Sequence, residues 1–144
     1  MKFVVKTFEE LTTKELYEIL KARCAVFTVE QNIICQDMDG IDYRAMHCFF
    51  EEEGRVEAYL RAFYLSDNTV KIGRVLTAVH GKGLGRKLMD ASISAIKEKM
   101  PCKNIHVSAH KNASGFYERM GFKVTSVGYM EDDIVHIAMD MDLK

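Results

Sequence analysis

The chain lacks an excess of charge of either sign: 20 Lys and Arg stand against 21 Asp and Glu, a formal net charge of -1. No overall field draws it to nucleic acid or to a membrane, so any basic site has to be local. It lacks an apolar run long enough to span a bilayer. Its opening residues, MKFVVKTFEE, lack the apolar core of a secretory signal. It also lacks paired cysteines: Cys24, Cys35, Cys48 and Cys102 form no CxxC pair, which excludes the common structural zinc patterns. Free thiols fit a reducing compartment, so the expectation is a cytoplasmic protein. Proline occurs once, at Pro101, and no repeat, low-complexity tract or linker interrupts the chain. A single domain over residues 1–144 is the economical reading.

What is there is regular patterning. Phe3, Val5 and Thr7 alternate as in a strand. Thr12 or Thr13 can cap a helix, with Glu15 or Glu10 near its positive end. Leu16, Ile19, Leu20, Arg23 and Phe27 then recur at helical spacing. Residues 28–45 look irregular, with Asp37, Asp39, Gly40 and Asp42 as turn formers. Residues 46–52 and 56–65 read as strands, and Ser66-Asp67-Asn68 as a hairpin turn into a strand over 70–77. Leu84, Leu88, Ala91, Ala95 and Ile96 mark one helix face ending near Pro101. A strand over 105–109 follows, then a helix over 113–120 stopped by Gly121. Strands over 124–129 and 134–141 complete the chain. The order β-α-β-β-β-α-β-α-β-β predicts an α/β (α+β) fold with a mixed sheet. Its one crossover, residues 70–109, should be right-handed with parallel strands.

The stretch HGKGLGRKL, residues 80–88, lies between a predicted strand and a predicted helix. First-turn amides of a helix have no backbone partners and sit at the positive end of its dipole. Glycines let such amides approach an anion closely, which favours phosphate or pyrophosphate. Lys82, Arg86 and Lys87 add charge. A Walker A loop or a dinucleotide fingerprint counted from Gly81 would each need glycine where Arg86 stands, so both fail. A coenzyme A pyrophosphate cradle and a flexible loop before a helix both fit these residues. An EF-hand centred on Gly40 would place Cys35 and Met46 at its first and last ligand positions, so it too fails; the acidic loop reads as a solvated turn, or as an attractor for a cationic amine.

The run Val75-Leu76-Thr77-Ala78-Val79-His80-Gly81-Lys82-Gly83-Leu84-Gly85-Arg86 resembles the acetyl-coenzyme A signature of the GCN5-related N-acetyltransferases (GNAT). Gly83 and Gly85 match, while His80 stands at the signature's Arg/Gln position. Phe116-Tyr117-Glu118-Arg119-Met120-Gly121-Phe122 resembles that family's (F/L)YxxxGF segment, in the expected order. Val26-Phe27-Thr28-Val29-Glu30-Gln31 and Asp37-Met38-Asp39-Gly40-Ile41-Asp42 with His47 are similar to stretches of its ElaA-like and YjcF-like branch. So is Glu131-Asp132-Asp133-Ile134-Val135-His136, with Asp133 and Val135 replacing Gly and Pro.

The resemblance implies a mostly antiparallel sheet flanked by helices, its fourth and fifth strands parallel and splayed. It implies acetyl transfer from acetyl-CoA, as cosubstrate and without a metal, to the amine of a small molecule or protein. The pantetheine arm would pair with backbone around Val75, Leu76 and Thr77, where an N–H can also stabilise the oxyanion. Amides from Lys82 through Gly83, Leu84, Gly85 and Arg86 to Lys87 would hold the pyrophosphate. Tyr117 is the candidate general acid for the departing thiolate; packing beside Phe116 and Phe122 is the structural reading of the same residue. Glu57, His47, Glu131 and His136 are candidate bases, each also readable as structural. Glu30 either orients a substrate cation or ends a helix. His110 and Asn112 would contact the pantetheine arm or the 3′-phosphate region, unless Asn112 caps the following helix. Family members often dimerise through sheet edges or C-terminal strands, so a homodimer is a further expectation. An acyl-CoA-binding or sensing module without catalysis is the competing reading, motivated by His80 and the unassigned base.

Overall fold

The computed structural model describes residues 1–143. Its strands are β1 (Lys2–Thr7), β2 (Met46–Glu52), β3 (Arg55–Tyr64), β4 (Thr69–Thr77), β5 (Asn104–His110), β6 (Lys123–Val124), β7 (Tyr129–Glu131) and β8 (Ile134–Asp142); its α-helices are α1 (Thr13–Arg23), α2 (Leu84–Lys99) and α3 (Ser114–Arg119). They build one sheet in the order β1-β2-β3-β4-β5-β8-β6, with β7 also on β8. Every pairing is antiparallel except β4 with β5. This is the mixed α/β fold that the element order predicts.

Thr12 caps α1 in a capping box: its Oγ1 accepts from the Glu15 N–H at 3.0 Å, and its own N–H donates to Glu15 at 2.8 Å. Such a cap contributes about 1 kcal/mol. The helix then widens without a break into a π-helical segment, Cys24–Glu30, a wider coil often found at functional sites. The two helical faces sort the core. Leu84, Leu88, Met89, Ile93 and Ile96 of α2 pack on Cys48, Leu60, Val70, Ile72, Ile105 and Val107. On the other side of the sheet, Ile19 and Val26 pack on Val4, Phe49, Tyr59 and Leu76.

The predicted strand over 124–129 is two short strands instead. Thr125 donates its N–H to Ala138 O, Ser126 Oγ accepts from the Ala138 N–H, and the chain leaves the sheet before returning as β7. The stretch has no apolar alternation to hold it flat, and Val127 is 86% exposed. The β7–β8 turn places Asp132 and Asp133 at φ 50° and 62°, the left-handed pair of a tight hairpin, where Asp is tolerated. No described helix is long and apolar enough to cross a membrane.

Candidate functional site

Parallel pairing of β4 with β5 ends at Ile72 and Val107. Just beyond, β4 holds one residue more than β3: Arg61 faces Gly73 while Tyr59 faces Leu76. Arg74 lies in this bulge with φ at 52°. A bulge bends its strand and ends regular pairing, while β5 continues beside β8 as far as His110 opposite His136. The two parallel strands therefore part, and a cavity of about 300 Å³ opens between them. Gly73, Arg74 and Val75 form one wall, Ser108, Ala109 and His110 the other. Tyr117, Glu131 and His136 also line it.

Tyr117 is brought here by α3, whose start follows directly on β5 through a short 3-10 turn. Its ring packs edge-on against Phe116 and Phe122, as the structural reading expects, and the same side chain lines the cleft. Burial pushes the phenol pKa up to about 12, which keeps the proton in place at neutral pH. His136 is 6% exposed. Its Nδ1 lies 2.8 Å from Ile134 O; a carbonyl only accepts, so Nδ1 carries the proton and Nε2 offers a lone pair in the neutral ring. Glu131 Oε2 stands 3.6 Å from that Nε2, too far for a hydrogen bond. The His110 ring meets His136 edge-on at 4.7 Å. Burial, with the His136 charge, lowers the His110 pKa. Ser108 Oγ contacts the Tyr129 hydroxyl and donates to Glu131 at 3.4 Å. One polar row thus runs from the imidazoles to the surface.

A second cavity, of about 320 Å³, adjoins the end of β4 and is lined by Thr77, His80, Gly83, Gly85, Arg86 and Arg119 among others. Gly83 is the N-cap of α2 in the left-handed conformation at φ 66°, and no side chain caps the helix. The amides of the first turn therefore have no partner. A Cβ at Gly81 or Gly83 would meet no atom within 4 Å, so the loop leaves open space in front of those amides. The two cavities are lined by neighbouring residues of the same elements, Val75 and Tyr117 in the first, Thr77 and Phe116 in the second. Their shape and donors fit an extended thioester ligand ending in a pyrophosphate. Lys82 and Lys87 are exposed outside the lining, Leu76 is buried in the core, and Leu84, buried as well, lines this second cavity.

Other expected positions fall elsewhere. His47 is fully buried; its Nε2 donates to Asp42 O at 2.9 Å and its Nδ1 accepts from the Tyr59 hydroxyl at 2.7 Å. Both nitrogens are engaged in the neutral ring, burial lowers its pKa, and His47 lines neither cavity, so its contacts here are structural. Glu57 occupies a bulge where β3 holds the extra residue against β2; its carboxylate pairs with Arg55, and it lines neither cavity. Glu30 lies outside the cleft lining and meets His80 Nε2 at 2.8 Å, beside the glycine loop. Asn112 is exposed in the 3-10 turn and caps nothing; α3 follows Ala113 with no side-chain cap. The acidic loop is not a solvated turn. Asp37, Asp39 and Asp42 alternate with Arg23, Arg74 and Arg61 in a closed ring of six ion pairs, from 2.6 to 3.4 Å. Burial alone would raise the Asp39 pKa, but Arg61, the Ile41 N–H and Arg74 bring it down to about 2.

Sequence reasoning missed Arg119, Arg74, Ser108 and Tyr129. Arg119 lay inside a quoted motif, where a cation one turn after Phe116 was the available signal. The others gave none, because their partners are distant in sequence.

A family model, the acetyltransferase (GNAT) domain, matches residues 41–143. ElaA of Escherichia coli K12 is 35% identical over 136 residues, covering 90% of this chain and 89% of ElaA. A UPF0039 protein of Schizosaccharomyces pombe is 35% identical over 147 residues, covering 99% of this chain and 98% of its own. Among solved structures, an acyl-CoA N-acyltransferase from Pseudomonas aeruginosa superposes with a TM-score of 0.92 at 34% identity, covering 98% of this chain and 99% of that one. The E. coli ElaA crystal structure does so with a TM-score of 0.92 at 33% identity, covering 99% and 100%.

Proposed function

The chain belongs to the GNAT acetyltransferase family, and from that premise we propose that it is an N-acetyltransferase, moving the acetyl group of acetyl-CoA to a primary amine by direct attack in a ternary complex. The observation that carries this reading is the pairing of roles in one cleft. A buried phenol that keeps its proton and an imidazole with a free Nε2 line the same opening between β4 and β5.

The thioester supplies an acyl carbonyl whose leaving group is a thiolate. On this reading the pantetheine arm lies along Val75–Thr77 as an added strand. The unpartnered amides of α2, with Arg86 and Arg119, hold the pyrophosphate. Glu131 orients the ammonium, which gives its first proton to solvent; the neutral amine then attacks, and His136 Nε2 takes the second proton as the C–N bond forms. As the C–S bond breaks, Tyr117 gives its proton to the sulfur. His110 borders the base and keeps the site dry.

The test is thiol release from acetyl-CoA across a panel of small amines and lysyl peptides, with calorimetric binding of acetyl-CoA in parallel. Turnover by wild type, lost in Tyr117→Phe with cofactor affinity kept, supports the proposal. Binding without turnover across the panel would favour a non-catalytic acyl-CoA module instead.

A further inference from the structure

We propose that Arg74 is a positioning residue for this transfer, tying the irregular segment 31–40 to the bulged strand and so setting the acceptor wall of the cleft against the thioester wall. The inference rests on the acyltransfer reading above. Arg74 is neither glycine nor a short polar residue, yet it holds φ at 52°. A side chain in that region is strained, and such strain persists only where surrounding contacts over-determine it. Those contacts are visible. Arg74 Nε donates to Asp37 Oδ1 at 2.8 Å, and its Nη2 donates to Asp37 O at 3.0 Å and reaches Asp39 at 3.4 Å.

Asp37 is itself fixed from the other side. Arg23, fully buried at the end of α1, donates Nε to Asp37 Oδ2 at 3.0 Å and Nη2 to Asp37 O at 2.9 Å. The same carbonyl and the same carboxylate therefore bridge a buried helix end and a strained strand residue. The segment so held carries Gln31, Ile33 and Cys35, which line the same cleft as His136 and Glu131, while Val75, next to Arg74, lines it from β4. No α-helix or strand spans residues 31–40, so these ion pairs fix its distance from β4. Arg23 and Arg61 still hold Asp37, Asp39 and Asp42 when Arg74 is removed. The fold should therefore survive while the alignment does not.

Arg74→Ala, Arg74→Lys and Asp37→Asn are compared with wild type in steady-state kinetics, thermal melting, acetyl-CoA calorimetry and amide hydrogen exchange. Arg74→Ala should lower kcat/KM for the acceptor by about 10- to 100-fold, the scale expected of a displacement near 1 Å. Its affinity for acetyl-CoA should stay within about twofold, because the cradle does not touch the ring. Arg74→Lys, which keeps the charge but not the fork, should recover only part of the loss. Amides within 31–40 should exchange at least about tenfold faster in Arg74→Ala, with the strands of the sheet unchanged. An active wild type with unaltered kcat/KM in Arg74→Ala overturns the proposal. So does unaltered exchange at 31–40, a readout that stands even if wild type turns over none of the amines, the outcome that would count against the acyltransfer reading.

Discussion

The Nδ1 of His136 and the carbonyl oxygen of Ile134, two residues apart on one strand, lie 2.8 Å from each other. That contact fixes which ring nitrogen is basic and aims it at the cleft. His136→Gln keeps a polar side chain but no proton acceptor of comparable basicity. It should lower kcat by about 100-fold or more, the usual scale for losing a general base. Steady-state kinetics beside acetyl-CoA calorimetry decide the point; an unaltered kcat at unchanged cofactor affinity assigns the base elsewhere.

Gly83 tests the cradle. A side chain at φ 66° costs about 1–2 kcal/mol in the left-handed region, more for a β-branched one, yet no protein atom blocks it. Gly83→Val should fold with a modestly lowered melting temperature and lose acetyl-CoA binding, because its methyls fill the space before the α2 amides. Gly83→Asn tolerates the backbone and should fold nearly as well as wild type while binding weakly. Calorimetry beside thermal melts separates the two effects.

His80 and Glu30 make a direct contact beside the same loop, both largely exposed. A carboxylate there opposes an incoming pyrophosphate whenever the imidazole is neutral. His80→Arg makes the compensation permanent and should tighten acetyl-CoA by about fivefold at low salt, a discounted figure for an exposed pair. Glu30→Gln should act in the same direction, and both gains should shrink at high ionic strength. Weaker binding in either variant would give the native pair a favourable role in holding the ligand.

Stability should fall with acidification in two stages. Burial depresses the His47 pKa below 6.5, so the unfolded chain binds the extra proton and stability declines as pH drops below about 6.5. Asp39 titrates at about 2 in the fold against 3.8 unperturbed, and Asp42 is likewise lowered. Their contribution is complete above the unperturbed value and is lost as pH falls from there through about 2. His47→Gln should shrink the first stage to the part that His110, lowered likewise, contributes, and cost about 1–3 kcal/mol at neutral pH by unpairing the Tyr59 hydroxyl. Chemical denaturation at a series of pH values reads both stages.

Much of this was legible. The strand over 105–109, with Ile105, Val107 and Ala109 buried, and the apolar stripe from Leu84 to Ile96 mark elements whose burial follows their own period, and Gly40 and Gly121, read as a turn former and a helix stop, hold φ at 82° and 104°. The α1 cap was readable because its partners are three residues apart. The π-helical Cys24–Glu30 was not, since a wider coil leaves no distinct apolar repeat. His47 resembled a candidate base because its partners, Asp42 and Tyr59, can only be recognised once β2 and β3 pair. The ring of Asp37, Asp39 and Asp42 looked solvated for the same reason: Arg23, Arg61 and Arg74 are up to 37 residues away in sequence from the acids they meet.

Only four residue pairs join β4 to β5, and α2 alone crosses between the two parts of the sheet that they connect. Mechanically the molecule is two sheets stitched along a short seam. A ligand that lies in the opening and bonds to both strand edges lengthens that seam, acting as a structural element as well as a reactant. At 100 times its Kd such a ligand adds about 2.7 kcal/mol to the folded state. On the acyltransfer reading, the abundance of the folded protein is thereby tied to the supply of its cosubstrate.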